Sequence, residues 1–314
     1  MVQEQWISYK GSGGPGSGKS IVFLSGDEEY RSEEGLPMLA KLLSQTHGFN
    51  CTVLFSINEK TGEIDPETPN NIPGLASLKD ADLLVMLLRF RELPDEQMAH
   101  IIDFIHSGKP LIALRTSTHA FKYVKDTASP FAKYDCENKD PSFLGGFGRQ
   151  VLGESWVAHH GDHGVEGTRG LIDSQLANHP VLKGVSDIWG PTDVYAVGEL
   201  QGDPSVLVWG QVIASLEPRD KPNSLKTVMP VVWLNEYPSG SGSPSTVLVT
   251  TMGASVDLLN DGLRRLLING CYWLTGLGNQ IEEKSDVTIV GEYEPKFYGF
   301  GTHTKGVYPS DHSL

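Results

Sequence analysis

Three cysteines in 314 residues, Cys51, Cys136 and Cys271, are too few and too scattered for a disulfide framework or a zinc motif. Basic residues are short as well. Lys and Arg total 25 against 39 Asp and Glu, a net charge of −14. That balance argues against nucleic acid and against an anionic membrane as partner, since both need a basic surface. Long apolar runs are missing too. The longest, Ala81 to Leu88 with Asp82 inside it, falls far short of the ~20 residues a bilayer span needs. Met1 to Gly11 holds no basic stretch followed by an apolar one, so no signal peptide is expected in this chain. A soluble protein is expected, cytoplasmic, or periplasmic or secreted if a leader preceded residue 1.

What is present is ample core material. Hydrophobic residues make up 39%, with 6 Trp, 10 Tyr and 11 Phe, enough for a sizeable interior. Gly 35 and Pro 19 together are 54 of 314 residues, which predicts long, structured loops. Length allows two domains or one α/β domain with insertions.

Residues 1–18 read as a flexible, Gly/Ser-rich arm. Gly13, Gly18, Lys19 and Ser20 match the letters of a phosphate-binding loop, but such a loop must follow a strand and open a helix. Here Ile21 to Leu24, a short buried-strand pattern, comes after it. Leu36, Leu39, Ala40 and Leu43 then recur at helical spacing, with Gly48 as a stop. Phe49 to Ile57 and Asp82 to Leu88 read as strands, Asp95 to His106 as a helix and Leu111 to Leu114 as a fourth strand. This β-α-β-β-α-β alternation predicts a mostly parallel central sheet flanked by helices. A long irregular insertion at about 122–190 follows. Val206 to Ala214, Val228 to Leu234 and Thr246 to Thr251 are strand-like, Ser239 to Ser245 is a hairpin loop, and Asp257 to Leu274 is an amphipathic helix. The extension 277–314 is expected to pack on the surface.

In open parallel sheets, ligands bind beyond the carboxyl ends of the strands. Those ends here read Asp27-Glu28-Glu29-Tyr30-Arg31, Arg89-Phe90-Arg91 and Arg115-Thr116-Ser117-Thr118-His119. Guanidinium groups bind carboxylate or phosphate bidentately, so one reading is a crevice for an anionic or polyhydroxylic ligand. The other is that each arginine pairs with a neighbouring carboxylate. A second concentration, His159, His160, Asp162 and His163, suits proton transfer or a divalent metal on His159, His160 and His163, although its spacing is not that of a helical zinc motif. No other cofactor is expected. The strand and turn at Pro110 to His119 have the layout of a nucleophile elbow, with Arg115 at its tip and no cysteine or G-x-S-x-G frame.

Several segments in order, SGDEEYRSEE (25–34), ADLLVMLLRFRELPDEQ (81–97), GKPLIALRTSTHAF (108–121), LGGFGRQVLG (144–153), NHPVLKGV (178–185), DIWGPTDVYAV (187–197), MPVVWLNEY (229–237) and the run 250–276, give a chain that resembles the ThuA-like (trehalose utilisation-type) family. The resemblance covers about Lys19 to Gly276. It implies a flavodoxin-like, class I glutamine amidotransferase-like fold and a part in bacterial carbohydrate catabolism, acting on a sugar or sugar derivative. Many members carry His at the elbow, where Arg115 stands. His119 replaces an acidic residue, and Met252-Gly253-Ala254 lacks a late His.

The expected site therefore has Arg115, His119, His159 and His160 as catalytic residues, with Asp27, Glu29, Tyr30, Arg31, Arg89, Arg91, Trp189 and Asp193 around the ligand. The expected ligand is a small carbohydrate. A sugar-active hydrolase or lyase, a non-catalytic saccharide-binding protein and a metal-dependent hydrolase all stay open. So does a homo-oligomer. The missing cysteine argues against amidotransferase chemistry.

Overall fold

Apolar side chains on both faces of a strand demand cover on both faces, and the chain supplies it. The computed structural model describes residues 4–240, 242 and 244–314. Its main sheet has ten strands: β1 (Trp6–Tyr9), β2 (Ser20–Gly26), β3 (Asn50–Phe55), β4 (Leu83–Leu88), β5 (Leu111–Leu114), β7 (Gly167–Ile172), β8 (Trp189–Gly190), β10 (Ser205–Ile213), β11 (Met229–Tyr237) and β12 (Ser245–Thr250). Across the sheet they run β1-β3-β2-β4-β5-β12-β11-β10-β7-β8. A separate ribbon pairs β6 (Trp156–His159) with β9 (Tyr195–Val197).

The sheet is mixed. β3, β2, β4, β5 and β12 are parallel neighbours, whereas β1 and the β11, β10, β7, β8 wing are antiparallel. The expectation of a mostly parallel sheet holds for the central five strands only. The insertion is not loop alone but feeds β7 and β8 into the wing, which β10 and β11 join to β12 by antiparallel pairing. The arm differs as well. Residues 6–9 pair with β3 and bury Tyr9, so the segment forms a sheet edge.

Helix α1 (Ser32–Gln45) and helix α3 (Asp261–Leu274) cover one face. Leu36, Leu39 and Leu43 meet Leu263, Leu266 and Leu267 in one cluster with Phe23, Val53 and Leu248. Helix α2 (Asp95–His106) covers the other face with Met98, Ile101 and Ile105, beside Phe121 and, from the insertion, Phe147 and Leu152. The glycine and lysine segment before β2 packs against His47, Gly48 and Phe49 and opens no helix, so it lacks the geometry of a phosphate loop. The strand order reverses between β2 and β4, and open α/β sheets place ligands beyond the carboxyl ends at such a point. No helix among the described residues is long and apolar enough to cross a membrane.

Candidate functional site

Three strand ends carry non-glycine residues in the left-handed region: Arg31 (φ 59°) after β2, Phe90 (φ 49°) after β4 and Arg115 (φ 42°) after β5. Each costs of order 1–3 kcal/mol and persists only where surroundings over-determine it. All three follow neighbouring parallel strands on the sheet's carboxyl side.

Arg115 is at the base. It is fully buried, its guanidinium held between the rings of Tyr195 (3.8 Å to the centroid) and Tyr30 (4.4 Å). It donates to the backbone oxygens of Asp193 (2.8 Å) and Thr251 (2.7 Å), to the Tyr30 hydroxyl (3.1 Å) and to Asp193 Oδ1 (2.8 Å). Both Nη atoms are engaged within the protein, and Nε is buried without a hydrogen-bond partner among the described residues. The structure places Arg115, expected as a catalytic residue, beneath Asp193 with no exposed surface.

Above it Asp193, also fully buried, accepts from His159 Nδ1 at Oδ2 (2.7 Å) and contacts His163 Nδ1 through Oδ1 (3.1 Å). Burial opposes ionisation of this carboxyl, but Arg115 and the two histidines outweigh it and hold it well below the usual carboxylate range. His163 Nε2 faces Glu29 Oε1 at 3.2 Å. Hydrogen bonds to Asp193 and then to Glu29 push His163 up to about 9, so it is an imidazolium at neutral pH. The His159 side chain is 40% exposed, and among the described residues its hydrogen bond is made through Nδ1, with Nε2 left without a partner.

The walls are aromatic. Trp156 lies 5.8 Å from the His159 ring and 5.4 Å from the His119 ring, and Phe90 is 5.1 Å from His119. His119 is 5% exposed, and its Nδ1 contacts Thr118 Oγ1 at 3.3 Å. Burial, then the nearby Arg89 and Arg115, press its pKa well below the ordinary histidine value, so it is neutral. Arg89 forms the rim, paired with Glu28 and 3.7 Å from Glu29, between the rings of Phe90 and Phe300.

The other expected residues serve the scaffold. Asp27 is buried and accepts from the Glu29 N–H (2.8 Å), the Tyr30 N–H and the Thr116 hydroxyl, which folds the 27–31 loop. Arg91 is spent on Glu28 and on the carbonyls of Pro66 and Thr68. Arg31 turns away to Gly299 O and Thr302 Oγ1. His160 turns to Thr227 O at 2.8 Å and leaves the cluster. Trp189 sits in edge strand β8 beside β7, and among the described residues no ring contact or hydrogen bond joins it to the histidines. Arg89 and Arg91 pair with Glu28 and Arg115 with Asp193, whereas Arg31 Nε and Nη1 and Arg115 Nε are buried without a hydrogen-bond partner among the described residues. Cys51 and Cys271 are buried in β3 and α3, and burial lifts both thiols above their ordinary range.

Sequence reasoning missed three contributors. Asp257, fully buried, accepts from the N–H groups of Gly253 (2.9 Å) and Ala254 (3.1 Å) and from Thr192 Oγ1 (2.7 Å), tying the β12 turn to the segment holding Asp193. Its signal was a lone Asp just after the turn. Tyr298 and Phe300 of the C-terminal extension had no periodic signal at all. The grouping His159, His163 and Asp193 also replaces His159, His160 and His163 as the set able to hold a metal, with donor atoms within 4.8 Å of one another. A concavity of about 810 Å³ opens at the opposite ends of the strands, between β11, β12 and Trp273, and none of these site residues lines it.

No family model and no curated protein matches the sequence. Among solved structures, a provisionally named thua-like protein from Bacteroides uniformis ATCC 8492 is similar at 15% identity and TM-score 0.49, over 85% of this chain and 95% of that one. A second of the same provisional name, from Parabacteroides merdae ATCC 43184, is similar at 11% identity and TM-score 0.47, over 94% and 99%. The mmIFT52 N-terminal domain follows at 10% identity and TM-score 0.41, over 82% and 97%. The first two carry the family name that the sequence motifs suggested.

Proposed function

We propose that the chain acts on a small neutral polyhydroxylated molecule, a sugar or sugar derivative, by general acid–base chemistry. The observation that carries this reading is the buried carboxylate of Asp193 fixing His159 through Nδ1 and leaving Nε2 without a partner among the described residues. A carboxylate on Nδ1 sets the tautomer and stabilises the imidazolium that forms when Nε2 takes a proton. His163, already protonated, supplies positive charge or a proton beside it. Trp156 and Phe90 offer apolar faces of the kind that pack on sugar rings. The resemblance to trehalose-utilisation proteins supports the same substrate class. The parallel strands β3-β2-β4-β5-β12 run in the order second, first, third, fourth, fifth, which we read as flavodoxin-like, of the class I glutamine amidotransferase type. Without a thiol at the crevice, glutamine amidotransfer is not part of the reading.

The test is incubation with a panel of neutral saccharides and their oxidised derivatives, with products followed by NMR. Turnover of at least one is expected, falling roughly 10²–10⁴-fold in His159→Gln. A panel that neither stabilises the protein nor reacts overturns the sugar reading. Stabilisation without product favours a saccharide-binding protein. A second reading has its own observation: His159, His163 and Asp193 bring one donor atom each within 4.8 Å of one another, a set that would hold a divalent cation in a metal-dependent hydrolase once His163 gave up its proton. Stoichiometric metal in protein purified without a His tag would select it.

A further inference from the structure

One end of the antiparallel wing is incompletely covered. Residues two apart in a strand share a face, and Leu234 of β11 belongs to the cluster under helix α3, so Glu236 stands on that same face. Thr246, opposite Glu236 in β12, shares the face with Leu248 of the same cluster. Glu236 is nevertheless exposed and Thr246 half-buried, because α3 ends at Leu274. Its last turn brings Trp273 over this end of the sheet, and the His179 ring meets the indole edge to face at 4.9 Å. What remains is the concavity of about 810 Å³, with Leu234, Glu236 and Thr246 on the sheet side, Trp273 and His179 on the helix side, and Asp203 beside them.

The charge of this space has one sign. Asp203 and Glu236 make no ion pair or side-chain hydrogen bond among the described residues, and no lysine or arginine among them lines the walls. His179 adds no positive charge. Its Nδ1 accepts the Val181 N–H at 3.2 Å, and burial lowers its affinity for a second proton, so the ring is neutral with its hydrogen on Nε2. An anion is repelled here. A neutral guest would strip water from two carboxylates and return no charge, which is costly. A cation meets both the carboxylates and an indole, the aromatic side chain that holds cations best. We infer that this concavity binds a small organic cation, an ammonium or quaternary ammonium group on an apolar body, between Trp273 and the carboxylates of Glu236 and Asp203. Its volume is in the ordinary range of small-molecule sites. It shares no residue with the histidine cluster and does not depend on how that cluster is read.

The experiment is calorimetric titration of the full chain with choline and with putrescine. The controls are the neutral alcohol in which a tert-butyl group replaces the trimethylammonium of choline, and glucose. At least one cation should bind saturably, one to one, with Kd below about 1 mM, and both neutral controls should bind roughly tenfold more weakly or not at all. The Trp273 indole N–H signal, assigned by its absence in Trp273→Phe, should shift as the cation is added. Glu236→Gln should weaken binding about tenfold, and adding Asp203→Asn should weaken it further. Both carboxylates are exposed, so these variants keep the fold, and they decide the matter if Trp273→Phe does not fold. No saturable binding of either cation up to about 10 mM overturns the inference. So does binding unchanged in the double carboxylate variant, which would spread the cation over a surface of net charge −14, or a neutral control that binds as tightly as the cation. Absence of any saccharide turnover would end the proposed function and leave this titration unaffected.

Discussion

Arg115→Met separates a supporting arginine from a catalytic one. The substitution keeps an unbranched apolar stem between Tyr30 and Tyr195 but removes the cation from beside Asp193, whose side chain is 0% exposed. Removing one partner of a buried ion pair costs about 3–5 kcal/mol, because the remaining charge is left buried. The carbonyls of Asp193 and Thr251 and the Tyr30 hydroxyl lose a donor as well, about 1 kcal/mol each before non-additivity. His159 and His163 still face Asp193 and recover part of the loss. The net is about 4–6 kcal/mol. At about 2 °C per kcal/mol for a chain of this size, the melting temperature should fall by roughly 8–12 °C. Urea and thermal unfolding read this directly. Lys122→Ala, whose partner Glu137 is an exposed carboxylate, is the control and should stay within about 1 kcal/mol of wild type. A ligand-contacting Arg115 would give the reverse: activity lost, stability kept. An Arg115→Met midpoint within about 2 °C of wild type therefore refutes the supporting role.

Two further outcomes follow from buried groups and edges. Glu33 is buried with no partner for either carboxylate oxygen among the described residues, and burial pushes it up to about 8. A raised carboxyl contributes stability below its unfolded value that is lost as pH rises through the folded one, so Glu33→Gln should gain on wild type progressively from about pH 4.5 to 8; parallel stability curves across that window would contradict it. Deleting residues 1–10 bares the β3 edge and removes buried Tyr9, so size-exclusion chromatography should show concentration-dependent association and melting should come earlier; a monomer of unchanged stability would contradict it.

The central strands were legible because their signals are local. Ile21 to Leu24, Leu83 to Leu88 and Leu111 to Leu114 are continuous apolar runs between breakers, as strands buried on both faces require. Helices α1, α2 and α3 showed the 3.6-residue period where expected, within a few residues of their ends. The antiparallel wing was harder. β7 (Gly167–Ile172) carries two glycines and an arginine, and β8 is two residues long. Neither has a pattern that separates strand from loop. β1 was hidden for a related reason: its WISY sequence is mostly exposed at an edge, and the glycine-rich stretch behind it looked like a linker.

At the site, residue type was readable but direction was not. Arg31, Arg89, Arg91 and Arg115 occur where strand ends should carry function, and all lie near the crevice. Whether a guanidinium meets a ligand or a carboxylate depends on where partners far away in the chain happen to fall. Asp193 is 78 residues from Arg115, and Gly299 is 268 from Arg31. The same holds within the histidine loop. His159 ends strand β6 and His160 follows it, and the two side chains part: His159 reaches Asp193, whereas His160 reaches Thr227 O. Gly161 and Gly164 made the segment look like loop throughout, and the cluster therefore seemed to include all three imidazoles. Local periodicity tells which neighbours can act together, and long-range pairing then decides which of them remain free to do chemistry.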